Sequence, residues 1–175
     1  MREESEARGR ERTFDDWIAA HGGIVIRTAR AFARGADRDD LEQELLLAIW
    51  RSIPAFRGGS SVSTFLYRVT HNAALTWRRS ERGRSERDQR VALELARDPA
   101  VTAPSEPGDE RRMLERLYAE MQTLPPIDRS LLLLSLDGVS YSEMAEIHGL
   151  SPNHVGVRLT RARQTLATKF KGDTP

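Results

Sequence analysis

Cysteine is absent from the 175 residues of this chain. Disulfides, thiolate nucleophiles and sulfur-ligated metal sites are therefore excluded together. No apolar run approaches the roughly 18 residues that a bilayer span needs, so membrane insertion is not expected. The charged N-terminus, MREESEARGRER, is not followed by the apolar stretch of a secretory signal, which makes cytoplasmic residence the expectation. Strand signals are also missing: no alternating run of β-branched residues is bounded by hairpin turns.

What is present is charge, arranged in blocks. The net charge of +1 is a cancellation. Between Asp37 and Glu44 stand Asp37, Asp39, Asp40, Glu42 and Glu44 against Arg38 alone. Between Arg78 and Arg90 six arginines outnumber three acids, and from Ser151 to Lys171 there are five basic residues and no acid. Such basic blocks are where a polyanion would be bound.

Apolar residues recur at helical spacing. Phe14, Trp17, Ile18, Val25, Ala29 and Phe32 form one series, interrupted at Gly22 and Gly23. Leu41, Leu45, Ile49 and Ile53 form a second, ending at Pro54; Val62, Leu66, Val69 and Ala73 form a third that starts after Ser60 or Ser61. Later, Met113, Leu117, Met121 and Leu124 predict a helix closed by Pro125 and Pro126, and Ile127 to Leu136 a more buried one. Between the two sets, DPAVTAPSEPGDE has the prolines and small polar residues of a linker. The expected fold is all-α, in two small helical bundles: a charged tail over residues 1–12, a first domain over 13–95, a linker over 96–109 and a second domain over 110–171.

The stretch SYSEMAEIHGLSPNHVGVRLTRARQTL carries the clearest local signals. Ser140 and Glu143 have capping-box spacing, Gly149 suits a left-handed helix end, and Ser151 followed by Pro152 starts another helix. Two helices joined by so short a turn form a helix-turn-helix. In the second, Val155, Leu159, Ala162 and Leu166 share a core stripe. The opposite side shows His154, Val157, Arg158 and Arg161. The first turn of such a helix enters the major groove, which makes Ser151, Asn153, His154 and Val157 the residues nearest base edges or backbone, with Arg158 and Arg161 reading guanines or holding phosphates. Taken alone, the same face also fits a solvated basic helix.

The run DDLEQELLLAIWRSIPAFRGGSSVSTFLYRVTHNAALTWRR resembles region 2 of bacterial RNA polymerase sigma factors, and LPPIDRSLLLLSLDGVSYSEMAEIHGLSPNHVGVRLTRARQTL resembles region 4. Their order and the linker between them resemble the short extracytoplasmic-function (ECF) group of the sigma-70 family. The resemblance implies a subunit that binds core RNA polymerase and directs it to promoter DNA, with an anti-sigma factor as a possible further partner and no cofactor. It places Asp40, Gln43, Glu44 and Trp50 on the polymerase. It places the loop RGGSSVSTF and the helix after it on the minus-ten element, through Arg57, Ser60, Ser61, Ser63, Thr64, Arg68, Asn72, Arg78 and Arg79. Small residues and hydroxyls suit a base flipped out of the stack, and arginines suit the strand backbone. The minus-thirty-five element falls to the second helix of the helix-turn-helix.

Some letters depart from the family. Where the family's recognition helix often reads Thr-Val-Lys-Ser-Arg-Leu, this chain has His154-Val155-Gly156-Val157-Arg158-Leu159, and Gly156 costs a helix about 1 kcal/mol relative to alanine. RGGSSVSTF lacks the spacing of a phosphate loop, and His21, His71, His148 and His154 have no metal-ligand spacing, so an enzyme is not expected. The alternative reading is a stand-alone helix-turn-helix regulator, which would bind duplex DNA without polymerase.

Overall fold

The computed structural model describes residues 2–92 and 109–171. Within them the chain forms eight α-helices: α1 Arg2–His21, α2 Gly23–Phe32, α3 Asp37–Ser52, α4 Val62–Ala92, α5 Asp109–Met121, α6 Pro126–Leu136, α7 Tyr141–His148 and α8 Pro152–Lys171. A 3-10 turn, Ile53–Ala55, follows α3 and contains Pro54, as the stop signal there requires. The expected linker over 96–109 lies outside the described residues except for Asp109, which begins α5.

The junction of α1 and α2 depends on glycine. The Gly22 amide donates to the Ile18 carbonyl at 2.8 Å, and a Cβ at residue 22 would stand 2.7 Å from that same oxygen. Residues 2–12, expected as a charged tail, are instead the beginning of α1. Glutamate, arginine and alanine are strong helix formers, so this segment extends the helix without an apolar stripe of its own. Arg10 explains part of the anchoring: its Nε donates to the Trp50 carbonyl at 3.1 Å and its guanidinium lies over the Trp50 ring.

Leu41, Leu45 and Ile49 of α3 are fully buried against Ile24, Val25, Ala29 and Phe32 of α2 and Leu66 and Ala74 of α4. Each such aliphatic side chain contributes about 1.5–3 kcal/mol by leaving water. Trp17, Phe56 and Phe65 close the lower end as an aromatic cluster, with ring centroids 5.0 to 6.0 Å apart. In the second bundle Met121, Leu124, Leu131 to Leu134, Met144, Ile147, Val155, Leu159, Ala162 and Leu166 fill the core. The stripe expected for α5 is only partly right: Met113 is exposed, because α5 touches the bundle at its C-terminal half.

Arg129 is an unforeseen core residue. It is fully buried, and its guanidinium donates to the carbonyls of Met121, Gln122 and Leu124 while lying over the Phe32 ring. It thereby satisfies the carbonyls left open where α5 ends.

The bundles are packed together. The face of α2 meets α5 and α6, and that of α4 meets α7. The contact is polar at its centre. Asp137, after α6, accepts from Tyr67 Oη at 2.6 Å and pairs with Arg27 at 2.7 Å. Gln122 Nε2 donates to the carbonyls of Arg30 and Ala33, at 2.7 and 2.8 Å, and so caps α2 from the other bundle.

Candidate polymerase and nucleic-acid interface

The helix-turn-helix forms as its capping signals predict. Ser140 Oγ accepts from the Glu143 amide and the Glu143 carboxylate accepts from the Ser140 amide, a reciprocal capping box. The three hydrogen bonds that reach Glu143 from Ser140 and Thr64 hold its carboxyl below the ordinary range, those from Ser140 acting most. Gly149 has φ 65°, the left-handed conformation that glycine adopts without strain. Ser151 Oγ then accepts from the His154 amide at 3.3 Å, so its hydroxyl starts α8.

Val155, Leu159, Ala162 and Leu166 are buried, which leaves Asn153, His154, Val157 and Arg161 exposed on the far side. Val157 is 43% exposed, a large aliphatic side chain facing solvent in the middle of a polar surface. Arg158 is different. Its Nε lies 2.7 Å from Asp128 Oδ1, so the guanidinium fastens α8 to α6 instead of standing free beside Arg161. Tyr141, which drew no attention in the sequence, is 43% exposed and lines a hollow with Asn153, Gly156, Val157 and Arg161.

In the first bundle, Asp40, Gln43 and Glu44 come together along one wall of a groove of about 770 Å³ between α3 and α4. Asn72, Thr76 and Trp77 form the other wall, which brings Asn72 to the acidic helix. Leu47 completes the α3 wall and is 44% exposed. Sequence reading missed it; the signal was its position one helical turn beyond Gln43 and Glu44, on their face. Trp50 is not part of this groove: it is half-buried, edge-on to Phe14 at 5.5 Å and beneath Arg10.

The glycine-serine loop leads directly into α4. Ser61 Oγ accepts from the Thr64 amide at 3.1 Å and is also 3.0 Å from Ser63 Oγ and 2.8 Å from Thr64 Oγ1. Ser61 is therefore the helix cap, with its hydroxyl already engaged. Arg57 and Arg79 are exposed, Ser60, Ser63 and Arg78 half-buried, and Arg68 lies over the Phe65 ring.

Thr64 departs from expectation. It is 5% exposed, covered by α7, and its Oγ1 donates to Glu143 at 3.4 Å. His71, also on α4, is 6% exposed and meets His148 of α7 edge-on, with ring centroids 4.4 Å apart. Burial, helped by the neighbouring His148, lowers the His71 pKa to about 3. Burial, helped by Arg158, lowers that of His148 to about 4. Both imidazoles are thus neutral at physiological pH. Burial and then Asp137 push the Tyr67 phenol well above its ordinary value, so it remains a donor.

One bundle with an acidic groove wall followed by one with a capped helix-turn-helix is the arrangement expected of sigma-70 regions 2 and 4. Residues 17–84 match the family described as sigma-70 region 2, and residues 114–166 match sigma-70, region 4. The chain is 32% identical to the ECF RNA polymerase sigma factor EcfG of Rhodopseudomonas palustris over 160 residues, covering 87% of this chain and 82% of that one. It is 29% identical to the RNA polymerase sigma factor CnrH of Cupriavidus metallidurans over 178 residues, covering 96% and 92% respectively. The fold is shared with CnrH in its complex with the cytosolic domain of CnrY, at a TM-score of 0.67 and 24% identity over 96% of this chain and 94% of that one. It is likewise shared with the sigma factor RpoE bound to the anti-sigma factor NepR from Bartonella quintana, at 0.68 and 23% over 93% and 99%. The chain belongs to the ECF group of RNA polymerase sigma factors and supports transcription initiation by RNA polymerase. Among the described residues no helix is long and apolar enough to cross a membrane.

Proposed function

We propose that the chain directs core RNA polymerase to promoters by reading the minus-thirty-five element with α8 and the minus-ten element with the Arg57–Thr64 loop and the outer face of α4. The observation that carries this reading is the open face of α8. Asn153, His154, Val157 and Arg161 stand exposed on a helix whose other side is fully committed to the core. Arg161 is the residue that fits a guanine edge or a phosphate, since Arg158 is held by Asp128. Asp40, Gln43, Glu44 and Leu47 would dock on a basic and apolar surface of the polymerase, with the carboxylates supplying steering and register.

Element names place the two DNA sites about 25 base pairs apart, roughly 85 Å at 3.4 Å per step. Bundles in direct contact cannot span that distance. The packed arrangement must therefore open when both elements are engaged, releasing Thr64 from Glu143. The structural relative RpoE is bound to the anti-sigma factor NepR, and a partner of that kind would favour the packed arrangement here.

The test is transcription from a library of genomic fragments by core polymerase, with and without the chain. Selective use of a promoter class on addition is expected. Tight binding to duplex DNA without polymerase, and no gain in transcription with it, would instead support the stand-alone regulator. Glu44→Lys should abolish polymerase binding while leaving the fold intact, because Glu44 is exposed and makes no contact with the core.

A further inference from the structure

Where α2, α3 and α5 meet, arginines from both bundles line one cavity. It holds about 310 Å³ and is bordered by Arg30, Arg34 and Arg38 from the first bundle and Arg111, Tyr118 and Gln122 from the second. Glu115 is the one carboxylate on its wall, 3.6 Å from Arg111. Like-charged groups gathered around a concavity repel one another unless an anion lies among them. Arg34 is engaged, donating to Gln122 Oε1 and to the Ala119 carbonyl. Arg38 is not fully engaged: its Nε–H is buried without an acceptor. A buried donor left open is costly, so its persistence calls for an explanation.

The volume suits a small ligand, and the wall has an apolar part in Leu114 and the Tyr118 ring. Guanidinium forks pair bidentately with carboxylates and phosphates alike, but the four arginines here offer more donors than one carboxylate can accept, which favours a phosphate group. From this convergence we propose that the cavity binds a small molecule carrying a pyrophosphate group, and that binding holds the two bundles together. The site exists only while α2 and α5 are in contact, so a ligand that fills it must favour the packed arrangement by its differential affinity. This rests on the reading that promoter engagement requires the bundles to separate. The ligand would then be a negative effector of initiation.

Calorimetric titration of the full chain with inorganic pyrophosphate, ADP and inorganic phosphate tests the site. One-to-one saturation below about 1 mM is expected for pyrophosphate or ADP, with inorganic phosphate weaker. Tighter binding of ADP identifies a nucleotide; equal binding identifies the free pyrophosphate group. Arg30→Gln with Arg38→Gln should weaken binding at least tenfold, roughly 1.4 kcal/mol or more, while Arg161→Ala should not. These glutamines remove charge from side chains that form no hydrogen bond or ion pair across to the other bundle among the described residues, and fluorescence transfer between labels on α1 and α8 verifies that packing survives. Ligand should raise the transfer efficiency and lower transcription in the wild type and do neither in the double variant. No saturation up to several millimolar, or equal weakening by Arg161→Ala, overturns the proposal. Loss of promoter use in the absence of any ligand would bear on the sigma-factor reading alone.

Discussion

The two faces proposed to read DNA are presented in opposite states. On α8 the candidate residues Asn153, His154, Val157 and Arg161 are open, while Arg158 is drawn aside by Asp128. On α4 the corresponding surface is partly closed: Thr64, Tyr67 and His71 are buried beneath α7 and the turn after α6. The helix-turn-helix covers its partner's face with α7, the helix that precedes the proposed reading helix. On the proposed reading, one module could therefore meet duplex DNA in the packed arrangement, and the other would become fully available only after separation.

Breaking the polar centre of the contact should abolish that difference most strongly. Asp137→Ala removes the acceptor of Tyr67 and leaves Arg27 without its carboxylate. Arg27 is partly exposed and screened, so about 2 kcal/mol of packing free energy is expected to be lost, below the full cost of breaking a buried pair. Hydrogen exchange should then rise in residues 64–71, and the radius of gyration should increase while helix content stays constant. Unchanged exchange at Thr64 would mean that the hydrophobic contacts alone hold the bundles.

Acid is the second way to separate them. His71 and His148 titrate at about 3 and 4 when packed, against an ordinary value of 6.5 when freed. His71 faces Phe32 and His148, and its Nδ1 lacks a partner; His148 faces Ser130 and Arg158. Between pH 6.5 and 4 the separated chain binds more protons, so packing is at full strength above about pH 6.5 and weakens as pH falls. The slope is at most about 1.4 kcal/mol per pH unit for each imidazole. Fluorescence transfer across the bundles should fall over that window, and His71→Phe with His148→Phe should flatten the curve.

How much of this was legible follows from the range of each interaction. The capping box at Ser140 and Glu143, the turn at Gly149 and the stripe Val155, Leu159, Ala162 and Leu166 are local, and spacing alone reveals them. The acidic wall of α3 was legible for the same reason. Arg27 with Asp137, Tyr67 with Asp137 and His71 with His148 join residues far apart in the chain, and each looks like an ordinary surface residue within its own helix. No periodicity marks such pairs. Arg129 was hidden by its charge, since arginine at a buried position is unexpected until the carbonyls at the end of α5 are seen around it.

On the open face, Arg161→Ala sharpens the comparison. About 1–2 kcal/mol of promoter affinity should be lost, confined to promoters that depend on the upstream element, with polymerase binding unchanged. Arg158→Ala should behave differently, because it frees Asp128 and loosens α8: a lower melting temperature would accompany the loss. If both variants lose only DNA affinity, Arg158 leaves Asp128 when DNA arrives.

Gly156→Ala should have the smallest effect and the most local meaning. Alanine gains about 1 kcal/mol of helix propensity over glycine in an exposed helix interior. Its Cβ would meet the Tyr141 ring at 3.4 Å, an ordinary contact, and Tyr141 is exposed enough to adjust. The melting temperature should therefore rise slightly, with bundle packing and acid sensitivity unchanged. Promoter choice decides the role of the residue. If preference at the minus-thirty-five element shifts while stability rises, Gly156 keeps the hollow between Tyr141 and Val157 open for a base edge. If preference is unchanged, the glycine is a helix defect that the buried stripe of α8 tolerates.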